Sequence, residues 1–326
     1  MAAIVARELV KHFAQDIKAV DGIDLSIPEG MLFAFLGPNG SGKTTTVRIL
    51  TTLLRPTSGY AEVGGLDVVR HPGQVRERVG VALQEAGLDD NQTGRELLEL
   101  QGRLYRLSGR EARQRATELL GVVDLLDAAD RRVKTYSGGM ERRLDLAAAL
   151  VHHPRIVFLD EPTTGLDPIS RETIWRYVRE LNKKEGVTFF LTTQYLEEAD
   201  RLADEVAIMN HGRIVAQGSP EELKASIGTD VVTVRLKGDS DRVARAEQAL
   251  RGLDGASEIK SLEDSVVVYI DHGQREIARI VLLLDEASVQ VEEVTLSRPT
   301  LDDVFLRKTG HHIEDDARQA SAGETR

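Results

Sequence analysis

Residues 37 to 44 read Gly37-Pro38-Asn39-Gly40-Ser41-Gly42-Lys43-Thr44, and the chain on either side decides what this octapeptide is. Before it runs the apolar stretch Met31 to Leu36; after it, Thr45 to Leu54 reads as a helix. A strand that enters a glycine-rich turn and leaves as a helix is the setting of a phosphate-binding loop, because consecutive backbone N–H groups and the positive end of the helix converge on one concavity. The glycines let the backbone curl round an anion with no Cβ in the way. Lys43 is placed to reach the β- and γ-phosphates of a nucleotide as a point charge, and the Thr44 hydroxyl to hold a Mg²⁺ ion bridging them. Thr45, next in the helix, completes the expected phosphate-binding set.

Composition narrows the partners. A chain of 326 residues has room for two domains of ordinary size, and 41% hydrophobic residues are ample for a buried core. The formal charge of −11 argues against a surface built to neutralise a nucleic-acid backbone. There is no cysteine, which excludes disulfides and thiolate metal sites. Met1 to Val10 carries Arg7 and Glu8 and lacks the apolar segment of a signal peptide. The apolar run Ile280 to Leu284 is far short of the ~18 residues of a membrane span. The expectation is a soluble chain whose membrane role, if it has one, goes through a partner.

Upstream of the loop, Ile4 to Val10 and Gly22 to Ile27 alternate apolar and polar residues as half-buried antiparallel strands do. Phe13 lies between them among Lys11, His12 and Gln15, and reads either as a minor packing residue or as a ring for stacking on adenine. Downstream, Tyr60 to Val63 resumes as strand, Gly64-Gly65 turns the chain, and Val79 to Leu83 is a short buried strand ending at Gln84. From about 87 to 135 the pattern is helical. Thr93 with Glu96 and Ser108 with Glu111 have capping-box spacing, and Leu97, Leu100 and Leu104 form an apolar stripe. This is an all-helical subdomain set between two halves of a sheet.

Tyr136-Ser137-Gly138-Gly139-Met140 then leads into a helix that Pro154 closes. Ile156-Val157-Phe158-Leu159 is an apolar strand that delivers Asp160-Glu161 at its C-terminal end, where α/β sheets place their ligands. There Asp160 is suited to hold Mg²⁺ through water, and Glu161 to orient and deprotonate an attacking water. The loop Thr164 to Asp167, a helix from Ser170 to Lys184 and a strand from Val187 to Thr192 follow, with Gln194 at the strand tip. Taken alone, Ser137-Gly138-Gly139 reads as an anion-binding helix start or simply as a helix N-cap. Asp167 ahead of Pro168 equally reads as an N-cap-like carboxylate, and Gln84 as polar punctuation. The character shifts around Ala225 to Thr229. Residues 1–227 are therefore expected as one domain and 228–311 as a second of order βαββαβ, a ferredoxin-like module closed by a helix from Leu301 to Lys308. Residues 312–326 read as a disordered tail.

Together, the P-loop, Gln84, the Ser137-Gly138-Gly139 turn, Asp160-Glu161, Asp167 and the Gln194 tip resemble an ABC-transporter ATPase subunit over roughly residues 1 to 225. The C-terminal module resembles the extension of daunorubicin-resistance-type exporter ATPases, especially at Pro299-Thr300-Leu301-Asp302-Asp303-Val304-Phe305. The fold class this implies is α/β, a P-loop NTPase ABC cassette with a mixed sheet core and a helical subdomain, followed by a small α+β C-terminal domain. The resemblance further implies ATP and Mg²⁺ as ligands and Gln84 in contact with the metal. It implies a second copy whose Ser137, Gly138 and Gly139 clamp the γ-phosphate, with Asp167 working across the seam. Tyr136 and Met140 stand where the family usually shows Leu and Gln, outside the residues that touch phosphate. Gln194 stands where the family usually has a catalytic histidine. A glutamine amide donates a hydrogen bond but does not titrate near neutrality, so hydrolysis is expected to persist on Glu161.

The implied role is the ATP-hydrolysing subunit of an exporter. It would sit peripherally on the cytoplasmic face of the membrane against a separately encoded integral permease, coupling hydrolysis to efflux of hydrophobic drugs or lipid-like compounds and so to antibiotic resistance. The C-terminal module is expected to support the homodimer. One rival is a soluble ABC ATPase acting on nucleic acid or the ribosome, disfavoured by the single P-loop, the short helical insert and the acidic balance. The other is a non-hydrolysing ATP-gated clamp, motivated by Gln194.

Overall fold

A computed structural model describes residues 2–14, 17–84, 87–227, 230–238, 241–310 and 312. The chain divides into two compact units, one up to residue 217 and the other from residue 218.

The first unit runs β1 (Ala2–His12), β2 (Lys18–Pro28), β3 (Leu32–Leu36), α1 (Lys43–Leu50), β4 (Ser58–Val63), β5 (Leu66–Asp67), α2 (Pro72–Arg78) and β6 (Val79–Ala82). A helical segment follows: α3 (Gly94–Leu104), α4 (Gly109–Val122) and, after two short 3-10 turns, α5 (Gly138–Ala149). The unit closes with β7 (Ile156–Asp160), α6 (Pro168–Glu185), β8 (Thr188–Thr193), α7 (Leu196–Leu202), β9 (Glu205–Asn210) and β10 (Arg213–Gly218).

These strands make two sheets. One is antiparallel, in the order β2-β1-β4-β5; the other has six strands in the order β10-β9-β3-β8-β7-β6, parallel from β9 through β6. Every residue of β3, β7 and β8 is buried, as expected of central parallel strands covered on both faces, and this is why β3 is apolar throughout, β7 up to Asp160, and β8 at its centre, Phe189 to Leu191. Ile4, Leu9, Ile23 and Ile27 share one core with Phe33, Phe35, Phe158 and Phe190. The Phe190 ring lies 5.4 to 5.5 Å from those of Phe33, Phe35 and Phe158. All three strands end level with the P-loop, so the core holds their C-terminal tips at fixed spacing.

Both expected capping boxes form, at Thr93–Glu96 and Ser108–Glu111. The stripe on α3 differs from expectation. Leu97 is buried, but Leu100 and Leu104 are 44% and 67% exposed, and the inward face is Gly94, Leu97, Leu98 and Gly102. Two glycines set that face. A Cβ at Gly94 would stand 2.5 Å from the Tyr136 hydroxyl and one at Gly102 3.1 Å from the Ala112 Cβ, so close helix approach takes the place of leucine packing. Helix α2 was not anticipated from the sequence, its one buried side chain being Val75.

The second unit contains α8 (Pro220–Ala225), β11 (Asp230–Lys237), α9 (Arg242–Leu250), β12 (Ala256–Ser261), β13 (Ser265–Ile270), α10 (Gly273–Glu286), β14 (Gln290–Ser297) and α11 (Leu301–Thr309). Its antiparallel sheet has the order β12-β13-β11-β14, the ferredoxin-like arrangement expected from βαββαβ. Val232, Val234, Val266 and Val268 face Leu250, Ile280 and Leu284 of α9 and α10 in its core. The division falls ten residues before the expected 227/228 boundary because α8 packs on α11, and the Arg307 guanidinium donates to the Ser226 carbonyl at 2.9 Å. Apart from His312, the expected tail lies outside the described residues. Among the described residues, no helix is long and apolar enough to cross a membrane.

Candidate active site

The P-loop closes between the end of β3 and the start of α1, and its glycines are there for different reasons. Gly42 caps α1 at φ 109°, and a Cβ on it would stand 2.0 Å from the Ala19 carbonyl oxygen. A Cβ on Gly37 would meet the Met209 carbonyl oxygen at 2.4 Å. Gly40, at φ 79°, has open space around it and is required only for its left-handed backbone. Gly37 and Pro38 are buried, Asn39 and Gly40 exposed, and Thr44 and Thr45 half-buried in the first turn of α1. No side chain caps this helix, so its first N–H groups are left for another acceptor.

Lys43 is 4% exposed and folds back over the loop, its Nζ donating to the carbonyls of Gly37 at 2.7 Å and Pro38 at 2.9 Å. Glu161 Oε1 is 3.9 Å from the same nitrogen. Burial pulls the ammonium down to about 8, against the opposing pull of Glu161 and Asp160. The lysine is thus charged at neutral pH, poorly solvated, and held by carbonyl dipoles that an anion would outcompete.

The carboxylates come from the end of β7, which pairs with β8 so that Asp160 lies beside Thr192. Asp160 Oδ1 accepts from the Thr192 hydroxyl at 2.5 Å and from the Thr44 hydroxyl at 3.1 Å. Its Oδ2 is buried without a hydrogen-bond partner, and so is the Ser41 hydroxyl of the loop. Two orphaned buried oxygens facing a helix start with spare N–H groups are a poor arrangement for an empty protein and a suitable one for a metal-bound phosphate. The donor set of Thr44 and Asp160, a hydroxyl and a carboxylate, suits Mg²⁺, which keeps several waters and takes only one or two carboxylates.

Glu161 turns the chain at φ 49°, a left-handed conformation costing a residue with a Cβ about 1 to 3 kcal/mol. Its N–H donates to Thr192, to the hydroxyl at 3.0 Å and the carbonyl at 3.2 Å. The carboxylate accepts from the Thr164 hydroxyl at 3.2 Å and is approached by the Gln84 amide at 3.5 Å. Gln84 is thus brought to Glu161 itself, while the hydroxyl partners of Asp160 are Thr44 and Thr192. Gln194 is half-buried directly after β8, whose Thr193 carbonyl accepts from the Gly37 N–H at 3.2 Å.

The remaining expected residues lie apart from this cluster. Phe13 is 44% exposed with the Lys11 ammonium 5.2 Å from its ring centre. Ser137 caps α5, its hydroxyl accepting from the Met140 N–H at 3.3 Å, and Ser137 and Gly138 are exposed. Asp167 caps α6, accepting from the N–H groups of Ile169 and Ser170 and, at 2.6 Å, from the Ser170 hydroxyl, which holds its carboxyl below the usual range. A Cβ on Gly139 would stand 2.8 Å from that Ser170 hydroxyl, so the two capped turns are neighbours.

Sequence reasoning missed Thr192, which ties Asp160 to Glu161, and Arg142, which is half-buried behind them. It also missed Glu198, which is fully buried and raised by desolvation while accepting from Thr163 and Trp175 just behind the carboxylate turn. The doubled threonine before Gln194 was the available signal for Thr192. A surface depression of about 1130 Å³ lies at the opposite end of the parallel sheet, around the starts of β7 and β8. No residue of the P-loop lines it, whereas the P-loop and the Asp160-Glu161 carboxylates stand at the C-terminal ends of the strands.

A family model described as "ABC transporter" matches residues 20–164, and one described as "ATP-binding protein DrrA1-3-like, C-terminal domain" matches residues 218–309. The chain is similar to the daunorubicin resistance ATP-binding protein DrrA2 of Streptomyces coeruleorubidus, with 46% identity over 98% of this chain and 99% of that one. It is also similar to the daunorubicin/doxorubicin resistance ATP-binding protein DrrA of Streptomyces peucetius, at 45% identity over 99% and 97%. Among solved structures, the ATP-binding cassette MJ0796, in a dimeric post-hydrolysis state bound to ADP and Pi, superposes with a TM-score of 0.62 at 26% identity, over 66% of this chain and 98% of that one.

Proposed function

Since the chain belongs to the ABC transporter ATP-binding subunits of the daunorubicin-resistance type, and is an ABC-type ATPase, we propose that it drives export of hydrophobic drugs or lipid-like compounds through a separate integral permease. In this reading it acts at the cytoplasmic face as a head-to-tail dimer of two copies. The single observation that carries the site assignment is the convergence of Lys43, Thr44, Asp160 and Glu161 from α1 and β7 around buried, unpartnered oxygens.

The residues divide the work as follows. The N–H groups at the start of α1 and the Lys43 ammonium bind the β- and γ-phosphates of ATP, Lys43 exchanging the Gly37 and Pro38 carbonyls for phosphate oxygens. Thr44 and Asp160 would hold Mg²⁺, with Gln84 reaching the site through its contact with Glu161; the bound ion would supply charge neutralisation for the phosphates. Glu161 orients a water and takes its proton as the water oxygen bonds to the γ-phosphorus and the bond to the bridging oxygen breaks, releasing ADP and phosphate. Gln194 donates an amide hydrogen bond to the γ-phosphate without changing charge. Ser137, Gly138 and Gly139 of one copy close on the nucleotide held by the other, with Asp167 at the seam, and Phe13 faces the adenine.

The test is phosphate release by the full chain and by Glu161→Gln. Turnover in the parent that falls to background in the variant, with ATP still bound, is expected. No turnover in the parent, even with its permease present, would favour the ATP-gated clamp that Gln194 suggests.

A further inference from the structure

We infer that Arg142 is a positioning residue for hydrolysis, holding the Asp160 to Pro162 backbone in the left-handed turn that aims Glu161 and tying that turn to the segment that presents Gln84. This rests on the assignment of Glu161 as the residue that acts on water.

The observations converge on one guanidinium. Arg142 stands one turn into α5, with its side chain 11% exposed. Its Nη2 donates to the Asp160 carbonyl at 2.6 Å and its Nε to the Pro162 carbonyl at 3.0 Å, so it grips the main chain on both sides of Glu161. Its Nη1 donates to the Leu83 carbonyl, directly before Gln84, and lies 3.3 Å from Asp145 Oδ2 one turn on along the same helix. Thr192 meanwhile holds the Glu161 N–H from the β8 side. A residue with a Cβ keeps φ 49° only where its surroundings over-determine it. Here Thr192 fixes its N–H, and Arg142 the carbonyls of the residues before and after it.

Only a planar fork of donors spans three carbonyls on two segments; a lysine ammonium has three donors but sits at one point. Arg142 also sets both partners of the 3.5 Å contact between the Gln84 amide and the Glu161 carboxylate, because it holds the backbone of each. Helix α5 is itself pressed against the sheet. A Cβ on Gly80 of β6 would stand 2.1 Å from the Ala149 carbonyl oxygen, so the guanidinium has a rigid base. Burial raises Asp145 to about 6, with Arg142 pulling the other way, which makes it an anchor tuned by its arginine.

The experiment compares the full chain with Arg142→Lys, Asp145→Asn and Glu161→Gln, measuring kcat and KM for ATP by phosphate release, ATP affinity by equilibrium binding, and thermal unfolding. Arg142→Lys is expected to lower kcat by about tenfold to a hundredfold while KM and affinity change less than about twofold, since misplacing a reacting group by about an ångström can cost a hundredfold. Asp145→Asn, which keeps the shape but not the charge, is expected to lower kcat a few-fold in the same sense. Arg142→Lys at parental kcat with Glu161→Gln silent overturns the positioning role alone. Glu161→Gln at parental turnover overturns the site assignment and this inference with it. Parallel loss of kcat, affinity and thermal stability in Arg142→Lys also overturns it, as general structural damage. If that variant does not fold, Asp145→Asn decides: a kcat loss at constant KM supports the role, and an unchanged kcat refutes it.

Discussion

Two helix starts in the first unit have glycine-rich sequences and opposite physical states. The start of α1 is buried, lacks a side-chain cap, holds an under-solvated lysine and has unpartnered oxygens on Ser41 and Asp160 around it. The start of α5 is exposed, capped by its own Ser137, and close to the Asp167 cap of α6. The first has unmet hydrogen-bonding capacity within one chain, which a ligand would satisfy. The second has a side-chain cap on the Met140 N–H and is open to solvent, so a phosphate role for it would come from outside the chain. A buried unsatisfied group marks a site, whereas a satisfied exposed turn marks at most half of one.

Glycine substitutions break this contrast most sharply. Gly42→Ala forces a Cβ to 2.0 Å from the Ala19 carbonyl at φ 109°, so the loop has to move, and ATP affinity in equilibrium binding should fall by about a hundredfold or more. Gly138→Ala places its Cβ in open space, so the isolated chain should unfold at the parental temperature or slightly above, Ala being the better helix former. Its turnover should still fall by about tenfold to a hundredfold if a partner's phosphate docks there. Full turnover in that variant would leave the α5 start an ordinary capped helix.

Proton linkage sharpens the contrast at smaller amplitude. With Lys43 at about 8 in the nucleotide-free chain and raised by a bound triphosphate, the lysine is charged in both states at pH 7 and no proton is exchanged. Above pH 8 the free lysine is neutral and binding takes up a proton, so ATP affinity should drop by up to about tenfold per pH unit. Calorimetry in buffers of different ionisation heat reads that uptake directly; an affinity flat from pH 7 to 9 would show that Lys43 is not the group that meets the phosphates. The α5 start has no titrating group of its own at Ser137, Gly138 or Gly139, and its contribution should not change over this range.

Elements that depend on neighbouring residues were legible in the chain itself. The P-loop, the capping boxes, the apolar β7 run ending in two carboxylates and the βαββαβ order all follow from local backbone preference and short-period burial, which act over a few residues. Tertiary structure decided the rest. The Thr44 to Asp160 contact joins residues 116 apart, Gln84 reaches Glu161 across 77, and Arg142 reaches Leu83 across 59. The left-handed turn at Glu161, the outward-facing Leu100 and Leu104, and the capture of α8 by the second unit likewise arise from packing partners distant in sequence. A residue's type constrains its own backbone and its solvation, but which carbonyl a buried guanidinium meets depends on where the sheet brings other segments.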